Sequence, residues 1–372
     1  MKYIWENSNW PNFTYEESAV EKALKEYSLQ KTETDTVFSL IDPNVRKMIH
    51  ADALASDAVS SSAIEGVTLS YDSVYSSVAK ALDIQLIGAV NKVDKNALSL
   101  ASLVLDALNG ASMPIDEKRI FFWHNLLFTG LGLKFRPKNV GSYRDKPIYI
   151  MNVRGNMQQD VLFQGLAVDK IKEAMDELFS WVNKTDNGKA IVKSAITSLW
   201  FVTIHPFEDG NGRISRALAD LIISSDWQGP RTFSISSAIL HRKNEYYEEL
   251  YKAQHSPSMD ITGYVVWYIE MVTTAMKTAS DSCKEKIRLS QFMLGLDPSE
   301  YNSREISMLY KLSSGIFYGK LTADKYTKMM KCTSATSTRD LTHLTSKGML
   351  VKSEEGGRTT WYRLNPEVKV SS

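Results

Sequence analysis

The chain has 372 residues, of which 43% are apolar and 23% are charged, and its net charge is +1. This length predicts two or three folded units, and the composition excludes a disordered or collagen-like protein. The two cysteines, Cys283 and Cys332, form no CxxC pair and predict a reducing, cytoplasmic environment. The first residues lack the apolar run of a signal peptide, and the apolar stretches are too short to span a membrane.

Helical periodicity dominates the first 300 residues, because apolar side chains recur three and four positions apart. The predicted helices are Glu117–Phe128, Ile191–Val202, Ile214–Ile222, Tyr246–Ala253 and Ile261–Lys277. Pro257 predicts a break between the last two. The exception is Arg144–Asn152, which is β-rich and flanked by turn-forming residues, and which predicts a short hairpin.

The end of the chain has a different pattern and a different charge. Residues 301–372 carry 12 basic against 6 acidic side chains, whereas residues 1–300 carry 32 against 37. Two short helices and two strands are predicted at Thr322–Met330, Ser334–Ser346, Met349–Lys352 and Thr359–Leu364. This order predicts a winged helix-turn-helix with its own, anionic partner.

Two kinds of partner fit this predicted C-terminal unit. Hydroxyl groups and Arg339 at the start of the second helix suit contact with base edges, and Arg358 in the wing suits contact with phosphate. Winged helices also dock proteins or form dimers. DNA, a docked protein and a homodimer therefore stay open as alternatives.

A polar loop joins two of the predicted core helices. Gly210, Asn211 and Gly212 open the second helix, so unpaired backbone N–H groups and the positive end of the helix dipole form a nest for an anion. Arg213 and Arg216 lie three residues apart on one helix face, where both can reach a polyphosphate.

Three further residues of the loop have distinct predicted roles. Asp209, directly before the nest, is placed to hold Mg²⁺ on the same phosphates. His205, at the end of the preceding helix, is the predicted general base for an incoming hydroxyl. Phe207 is apolar in a polar run and is predicted to anchor the loop in the core.

The run HPFEDGNGRISR resembles the Fic family motif HxFx(D/E)GNGRxxR at every defined position. The resemblance implies a mainly α-helical core with a short β-hairpin flap, and transfer of AMP from ATP to a Ser, Thr or Tyr hydroxyl of a target protein. It implies that His205 deprotonates the hydroxyl, that Asp209 binds the metal and that Arg213 and Arg216 neutralise the β- and γ-phosphates. Related Doc kinases have a less open loop, so the glycines favour AMP transfer over phosphate transfer.

The resemblance also extends outside the loop. The predicted hairpin corresponds to the family's flap, which implies that a target segment docks by strand addition at Lys146, Pro147, Ile148, Tyr149 and Ile150. Asn244, Tyr246 and Tyr247 occupy the stretch that usually lines the adenine pocket. For the two tyrosines, ordinary helix packing is an equal alternative.

A second motif lies near the N-terminus, in Ser61-Ser62-Ala63-Ile64-Glu65-Gly66. Gly66 suits the residue after a helix end, which puts Glu65 in a last turn where the dipole disfavours an anion. The segment fits the inhibitory motif (S/T)xxxE(G/N) of the Fic family. The resemblance implies that Glu65 pairs with Arg216 and blocks the γ-phosphate, while Ser61 supports it from one turn away.

These observations predict three units: an N-terminal helical region with the inhibitory motif at 1–90, a Fic catalytic core at 91–290 and a winged helix-turn-helix at 300–372. The predicted function is an autoinhibited protein adenylyltransferase. Removal of AMP, with Glu65 orienting a water, and a DNA-binding regulator whose core senses nucleotide are the alternatives. The remaining histidines have no metal-binding spacing and are predicted to be structural or solvent-facing: His50, His124, His241, His255 and His343.

Overall fold

The computed structural model describes residues 2–84, 95–109, 113–129, 136–153, 159–184, 189–227, 229–314, 317, 319–354 and 360–368. Within these residues the chain is mainly α-helical, with two small antiparallel hairpins, as the sequence predicts. The predicted wing residue Arg358 and the predicted unit boundary at residue 90 lie outside the described residues.

Among the described residues before residue 300, eleven segments are α-helical. They are α1 Glu17–Ser39, α2 Pro43–Ile64, α3 Tyr71–Ala81, α4 Lys95–Asn109, α5 Glu117–Phe128, α6 Ile171–Lys184, α7 Ala190–Ile204, α8 Asn211–Ile223, α9 Ile235–His241, α10 Lys243–Gln254 and α11 Thr262–Leu294. Pro257 falls between α10 and α11, as predicted. α11 continues well past the predicted end at Lys277, because Ser280 and Cys283 stay buried against α1 although the surrounding residues are polar.

The hairpin lies later in the chain than predicted. Its strands are β1 Tyr149–Val153 and β2 Gln159–Gln164, paired antiparallel from Tyr149 opposite Gln164, so Arg144–Asn152 does not hold both strands. The second strand has polar residues at both ends and gives little sequence signal. Pairing with β1 and burial of Phe163, which is 3% exposed, fix it as a strand.

In the described part of the chain before residue 300, two large apolar cores hold the helices together, and a small cluster of Val37, Phe38 and Cys283 joins α1 to α11. The first joins α2, α3 and α4 to α5, α6 and α8, with Trp123 and Phe207 fully buried inside it. The second joins α1 to α7, α9, α10 and α11. The N-terminal helices therefore share their apolar cores with the helices that carry the polar loop.

The end of the chain has its own apolar core. It contains α12 Ser303–Ser313, α13 Ala323–Met330, α14 Ser334–Ser346, β3 Leu350–Lys352 and β4 Tyr362–Leu364. Met293, in the last turn of α11, is buried in this core. Over the described residues, no helix combines the length and hydropathy that a membrane span requires.

Candidate active site

His205 ends α7 in a left-handed conformation, with a φ of 54°. Its Nδ1 lies 3.0 Å from the carbonyl oxygen of Val202, which can only accept. The proton must therefore reside on Nδ1, and Nε2 carries the free lone pair. Burial lowers the pKa of His205 to about 4, so the imidazole is neutral at physiological pH.

Arg144 holds the backbone around His205. It is 2% exposed, its Nε donates to the carbonyl of His205 at 2.8 Å, and its backbone N–H donates to the carbonyl of Pro206. It also donates to Leu166 directly after β2. This side chain was not assigned a role from the sequence, because its partners lie 22 and 61 residues away.

His124 supports the same loop from α5. Its ring stacks on Phe207 with centroids 4.0 Å apart, and both side chains are fully buried. Nδ1 accepts from the N–H of Gly141 at 2.9 Å, which leaves Nε2–H to donate to the carbonyl of Asp209 at 3.1 Å. His124 is structural, as predicted, and Phe207 anchors the loop as predicted.

The loop closes on itself through Asn211. Its side chain accepts from the N–H of Phe207 at 2.9 Å and donates to the carbonyl of the same residue at 2.8 Å. The side-chain amide of Asn211 thus ties the two ends of the loop together. Gly210 has a φ of 88°, and a Cβ there would lie 2.9 Å from Leu127, so this position requires glycine.

The start of α8 forms the predicted nest. The first backbone hydrogen bond of α8 runs from the N–H of Ile214 to the carbonyl of Gly210. The N–H groups of residues 211–213 therefore have no acceptor within the helix. Arg213 and Arg216 are 7% and 5% exposed. Within the described part of the chain, Arg213 Nε and Arg216 Nη1 are buried and lack a hydrogen-bond partner. Buried unpaired guanidinium N–H groups beside a helix N-terminus suit an anionic ligand.

The two carboxylates of the loop differ in their surroundings. Glu208 accepts from the backbone N–H of Lys138 at 2.8 Å and from the side chain of Asn139, so it fastens the loop to the preceding segment. Asp209 is exposed and accepts from Arg213 at 3.1 Å and from the N–H of Gly210. Of the two, Asp209 is the carboxylate that can reach a metal ion.

The end of α2 lies against this nest. Gly66 has a φ of 79°, its N–H donates to Ala63, and the N–H of Val67 donates to Ser62. These are the two bonds of a Schellman motif, which makes Glu65 the C-cap as the sequence indicates. An anion at this place needs a cationic partner.

Arg216 provides that partner. Its Nη2 donates to Glu65 Oε1 at 2.9 Å and to the carbonyl of Ser61 at 2.8 Å, and its Nε donates to Ser61 Oγ at 2.9 Å. Although burial alone lowers the pKa of Arg216, the nearby Glu65 carboxylate makes the net shift upward. The structure therefore brings Ser61 and Glu65 into contact with Arg216, which follows them by about 150 residues in the sequence.

Glu65 also reaches the first turn of α8. A Cβ at Gly212 would overlap Glu65 Oε1 and lie 3.1 Å from Arg216 Nη1. The Glu65 carboxylate thus lies against the nest where the sequence predicts a phosphate. Gly212 is the residue that allows this close approach.

α10 faces the same region. Tyr246 is 2% exposed and stacks on Trp267. This packing agrees with the second interpretation of the sequence, in which the tyrosine packs between helices. Tyr247 is 40% exposed, and its hydroxyl donates to the carbonyl of Ile64 at 3.2 Å. Asn244 is exposed at the start of α10.

The flap lies directly beside His205. A Cβ at Gly165, just after β2, would lie 3.0 Å from the Cβ of His205 and 2.8 Å from Ile148. Lys146, Pro147, Tyr149 and Ile150 are exposed, but only Tyr149 and Ile150 belong to β1. A segment bound along β1 would therefore pass close to the imidazole.

Comparison with known proteins identifies two regions of the chain. Residues 114–223 match the Fic/DOC family, and residues 3–84 match a domain of unknown function, DUF4172. The chain is 29% identical over 126 residues to protein adenylyltransferase fic-1 of Caenorhabditis elegans, and 27% identical over 150 residues to that of Caenorhabditis briggsae. These segments cover 32% and 39% of this chain but only 24% and 27% of the two relatives.

Solved structures share the fold. A Fic family protein from Desulfovibrio desulfuricans G20 is 19% identical with a TM-score of 0.55, covering 97% of this chain and 99% of that protein. A Fic domain containing signaling protein from Bacteroides thetaiotaomicron VPI-5482 is 19% identical with a TM-score of 0.50, covering 69% of this chain and 95% of that one. The family match at residues 114–223 contains the whole loop at 205–216, and the two solved structures share the fold.

Proposed function

We propose that this chain is a protein adenylyltransferase that moves AMP from ATP to a hydroxyl of a target protein and is held inactive by Glu65. The observation that carries the proposal is the pairing of a neutral His205, whose Nε2 lone pair is free, with two buried guanidinium groups at the helix N-terminus of the same loop. A proton acceptor beside an anion site is the arrangement that nucleotidyl transfer requires.

In the proposed reaction, the target hydroxyl oxygen attacks the α-phosphorus of ATP. Nε2 of His205 takes the hydroxyl proton, the bond from the α-phosphorus to the bridging oxygen breaks, and pyrophosphate leaves. The residues 210–212, Arg213 and Arg216 bind the negative charge of the phosphates. Most of the catalysis is then positioning and charge stabilisation.

Asp209 is the proposed metal ligand. No group of three or more metal-ligating side chains occurs among the described residues. Mg²⁺ needs no such group, because it is usually bound by one or two carboxylates together with substrate phosphates. A single exposed carboxylate beside the nest fits that mode, and Mg²⁺ held there would neutralise phosphate charge.

The proposed inhibition follows from the contacts of Glu65. Its carboxylate pairs with Arg216 at 2.9 Å and lies against Gly212, so it competes with a phosphate for the same guanidinium and the same helix end. Two anions in one nest repel each other. ATP can therefore bind productively only when Glu65 is displaced.

The proposed target site is the flap. Apolar side chains on the strands, Tyr149, Ile150 and Met151 among them, are 37–48% exposed. In the described part of the sheet, β1 pairs only with β2, so its other edge can accept an extended target segment by strand addition. Lys146, Pro147 and Ile148 lead the chain into that edge.

The decisive experiment incubates the protein with α-labelled ATP and Mg²⁺. We expect little label in wild type, much more in Glu65→Gly, and none in Glu65→Gly combined with His205→Ala. Asp83→Gly is the matched control, because it also exchanges a carboxylate for glycine after a helix end, at a φ of 54°, outside the site described above. Equal labelling of wild type and Glu65→Gly would contradict the inhibition.

Removal of AMP is the alternative reaction at the same site. It requires Glu65 to orient a water instead of restraining ATP, so it predicts the opposite response to substitution. With an AMP-modified protein as substrate, Glu65→Gly should then lose activity. If AMP addition is correct, Glu65→Gly should gain labelling and show no selective loss of removal.

A second candidate function is DNA binding by the C-terminal unit. The start of α14 presents exposed Ser334 and Thr338, and the side chain of Arg339 is 75% exposed. α14 packs against α13 and β3, and this packing supports the proposed winged helix-turn-helix. We expect Arg339→Ala to weaken binding to duplex DNA and to reduce its salt dependence. Salt-independent binding, or none, would favour the protein-docking alternative.

A further inference from the structure

A buried ion-pair cluster lies on the side of α2 that faces α8. Arg231 is 2% exposed and pairs with Asp57 of α2 and with Asp220 of α8. Asp57 is also 2% exposed. A single guanidinium thus bridges the inhibitory helix and the helix that carries the arginines of the active site.

Asp57 is held by more than this ion pair. Its Oδ1 accepts from the hydroxyl of Ser234 at 2.7 Å and from the N–H of Ser236 at 2.9 Å. One helical turn later, Ser60 Oγ lies 3.2 Å from Ser237 Oγ. Residues 231–237 therefore hold the C-terminal half of α2 in place through hydrogen bonds and an ion pair.

The ion pairs of Arg231 lie close, along both helices, to the contact between Glu65 and Arg216. Asp57 precedes Ser61 by one turn and Glu65 by about two turns, and Asp220 follows Arg216 by one turn. Arg231 consequently fixes the spacing between α2 and α8 directly beside the contact of Ser61 and Glu65 with Arg216. Buried ion pairs add little net stability compared with apolar packing but fix geometry where both partners are rigid.

We propose that Arg231 and Asp57 are positioning residues of the inhibition, which place α2 so that Glu65 reaches Arg216. The proposal rests on the proposed function. Neither residue touches the nest; both act through the position of Glu65. Loosening the pair should allow the end of α2 to withdraw from α8 and thereby increase the affinity for ATP.

Asp57→Asn is the principal test. The amide keeps the size of the side chain and an oxygen for Ser234 and Ser236, but it turns an NH₂ group toward the guanidinium of Arg231. Arg231 keeps its contact with the carboxyl group of Asp220 in this variant. Arg231→Lys is the second variant, because lysine keeps the charge and lacks the fork that reaches two carboxylates.

The experiment measures the dissociation constant of ATP by calorimetry and the transfer of label from α-labelled ATP, using the full chain. We expect Asp57→Asn to tighten ATP binding about tenfold, the effect of about 1.4 kcal/mol of coupling. We expect no further tightening when it is combined with Glu65→Gly. Arg231→Lys should change the affinity in the same direction by a smaller factor.

Asp52→Asn is the matched control, since Asp52 is an exposed carboxylate of the same helix that accepts from Tyr71 instead. ATP affinity should stay at the wild-type value.

The positioning role would be wrong if Asp57→Asn changed the affinity for ATP equally in the wild-type and the Glu65→Gly backgrounds. It would also be wrong if the ATP affinity of Asp57→Asn stayed within twofold of wild type. If Asp57→Asn does not fold, Arg231→Lys decides by the same criteria. A Glu65→Gly variant with unchanged labelling and affinity would instead overturn the proposed inhibition itself.

Discussion

At the scale of single residues, the loop at 205–212 is held partly by its own residues and partly by side chains from distant segments. His205, Phe207 and the glycines stand in one uninterrupted stretch, so a sequence pattern can single them out. Arg144 and Arg231 act through contacts with residues far along the chain. A sequence shows the residue type in such cases but gives no indication of what the side chain will meet.

Gly212 provides a direct test of where Glu65 lies. A methyl group there would overlap the end of the flexible Glu65 side chain, which must then move away from Arg216, so Gly212→Ala should destabilise the wild-type chain by about 1 kcal/mol, the low end of the cost of overpacking. In a Glu65→Gly background the overlap is gone, and alanine should instead stabilise the first turn of α8 by about 0.5–1 kcal/mol. Denaturant unfolding of the four variants measures both values.

This reversal of sign distinguishes the contact from a general effect of alanine. Two additive substitutions would give the same change in unfolding free energy in both backgrounds. Additivity would mean that the Glu65 carboxylate does not occupy the space beside Gly212.

At the scale of elements, periodic helices were predicted well and the flap was not. α5 and α14 begin and end where the sequence predicts, because their apolar residues recur with helical spacing. The flap strand β2 was missed because its ends are polar and it becomes a strand through pairing with β1. The end of α2 at Glu65 could be predicted, since Gly66 marks the helix end by its backbone conformation.

The end of α2 allows a test of inhibition without touching a charged residue. Gly66 has a φ of 79°, and a Cβ there would meet nothing within 4 Å, so Gly66→Ala adds only backbone strain of about 1–2 kcal/mol. We expect the helix end to fray and labelling from α-labelled ATP to rise above wild type. Gly66→Asn should show less of both effects, because asparagine tolerates this conformation.

Gly348 provides the matched control for this substitution. It has a φ of 72° and equally open space, but it follows α14 in the C-terminal unit. Gly348→Ala should cost similar stability and leave labelling unchanged. A rise in labelling for both variants would attribute the effect to general destabilisation.

At the scale of the whole molecule, the described residues form two large shared cores, a small apolar cluster between α1 and α11, and one separate core. The predicted N-terminal unit contributes apolar side chains to both cores of the first 300 residues, so Glu65 is presented by a helix packed into the same interior as the loop. The predicted C-terminal unit has its own core, which the last turn of α11 enters through Met293. Periodicity identifies apolar faces, but it cannot show which faces pack together.

The fully buried His124 contributes to the pH dependence of global stability, as does His205, whose pKa burial also lowers to about 4. The N–H of Gly141 donates to Nδ1 of His124, so a proton there would place two donors face to face, and burial lowers the pKa of His124 to about 4. The unfolded chain, with an ordinary histidine pKa of about 6.5, binds this proton first. The free energy of unfolding should therefore fall as the pH falls from about 6.5 to 4, by roughly 3 kcal/mol from this residue alone.

Measuring the unfolding free energy of wild type and His124→Gln from pH 7.5 to 4.5, without nucleotide or metal, tests this expectation. Glutamine can place an N–H where Nε2 donates to the carbonyl of Asp209, but its amide oxygen does not coincide with Nδ1. The N–H of Gly141 then lacks its acceptor, so His124→Gln should be less stable at pH 7 by about 1–3 kcal/mol. Its stability should also decline less steeply on acidification, because the group that resists protonation is gone. The exposed His241 is the control, and His241→Gln should keep the wild-type slope. If the unfolding free energy of His124→Gln depended on pH as steeply as that of wild type, protonation of His124 would not be linked to unfolding.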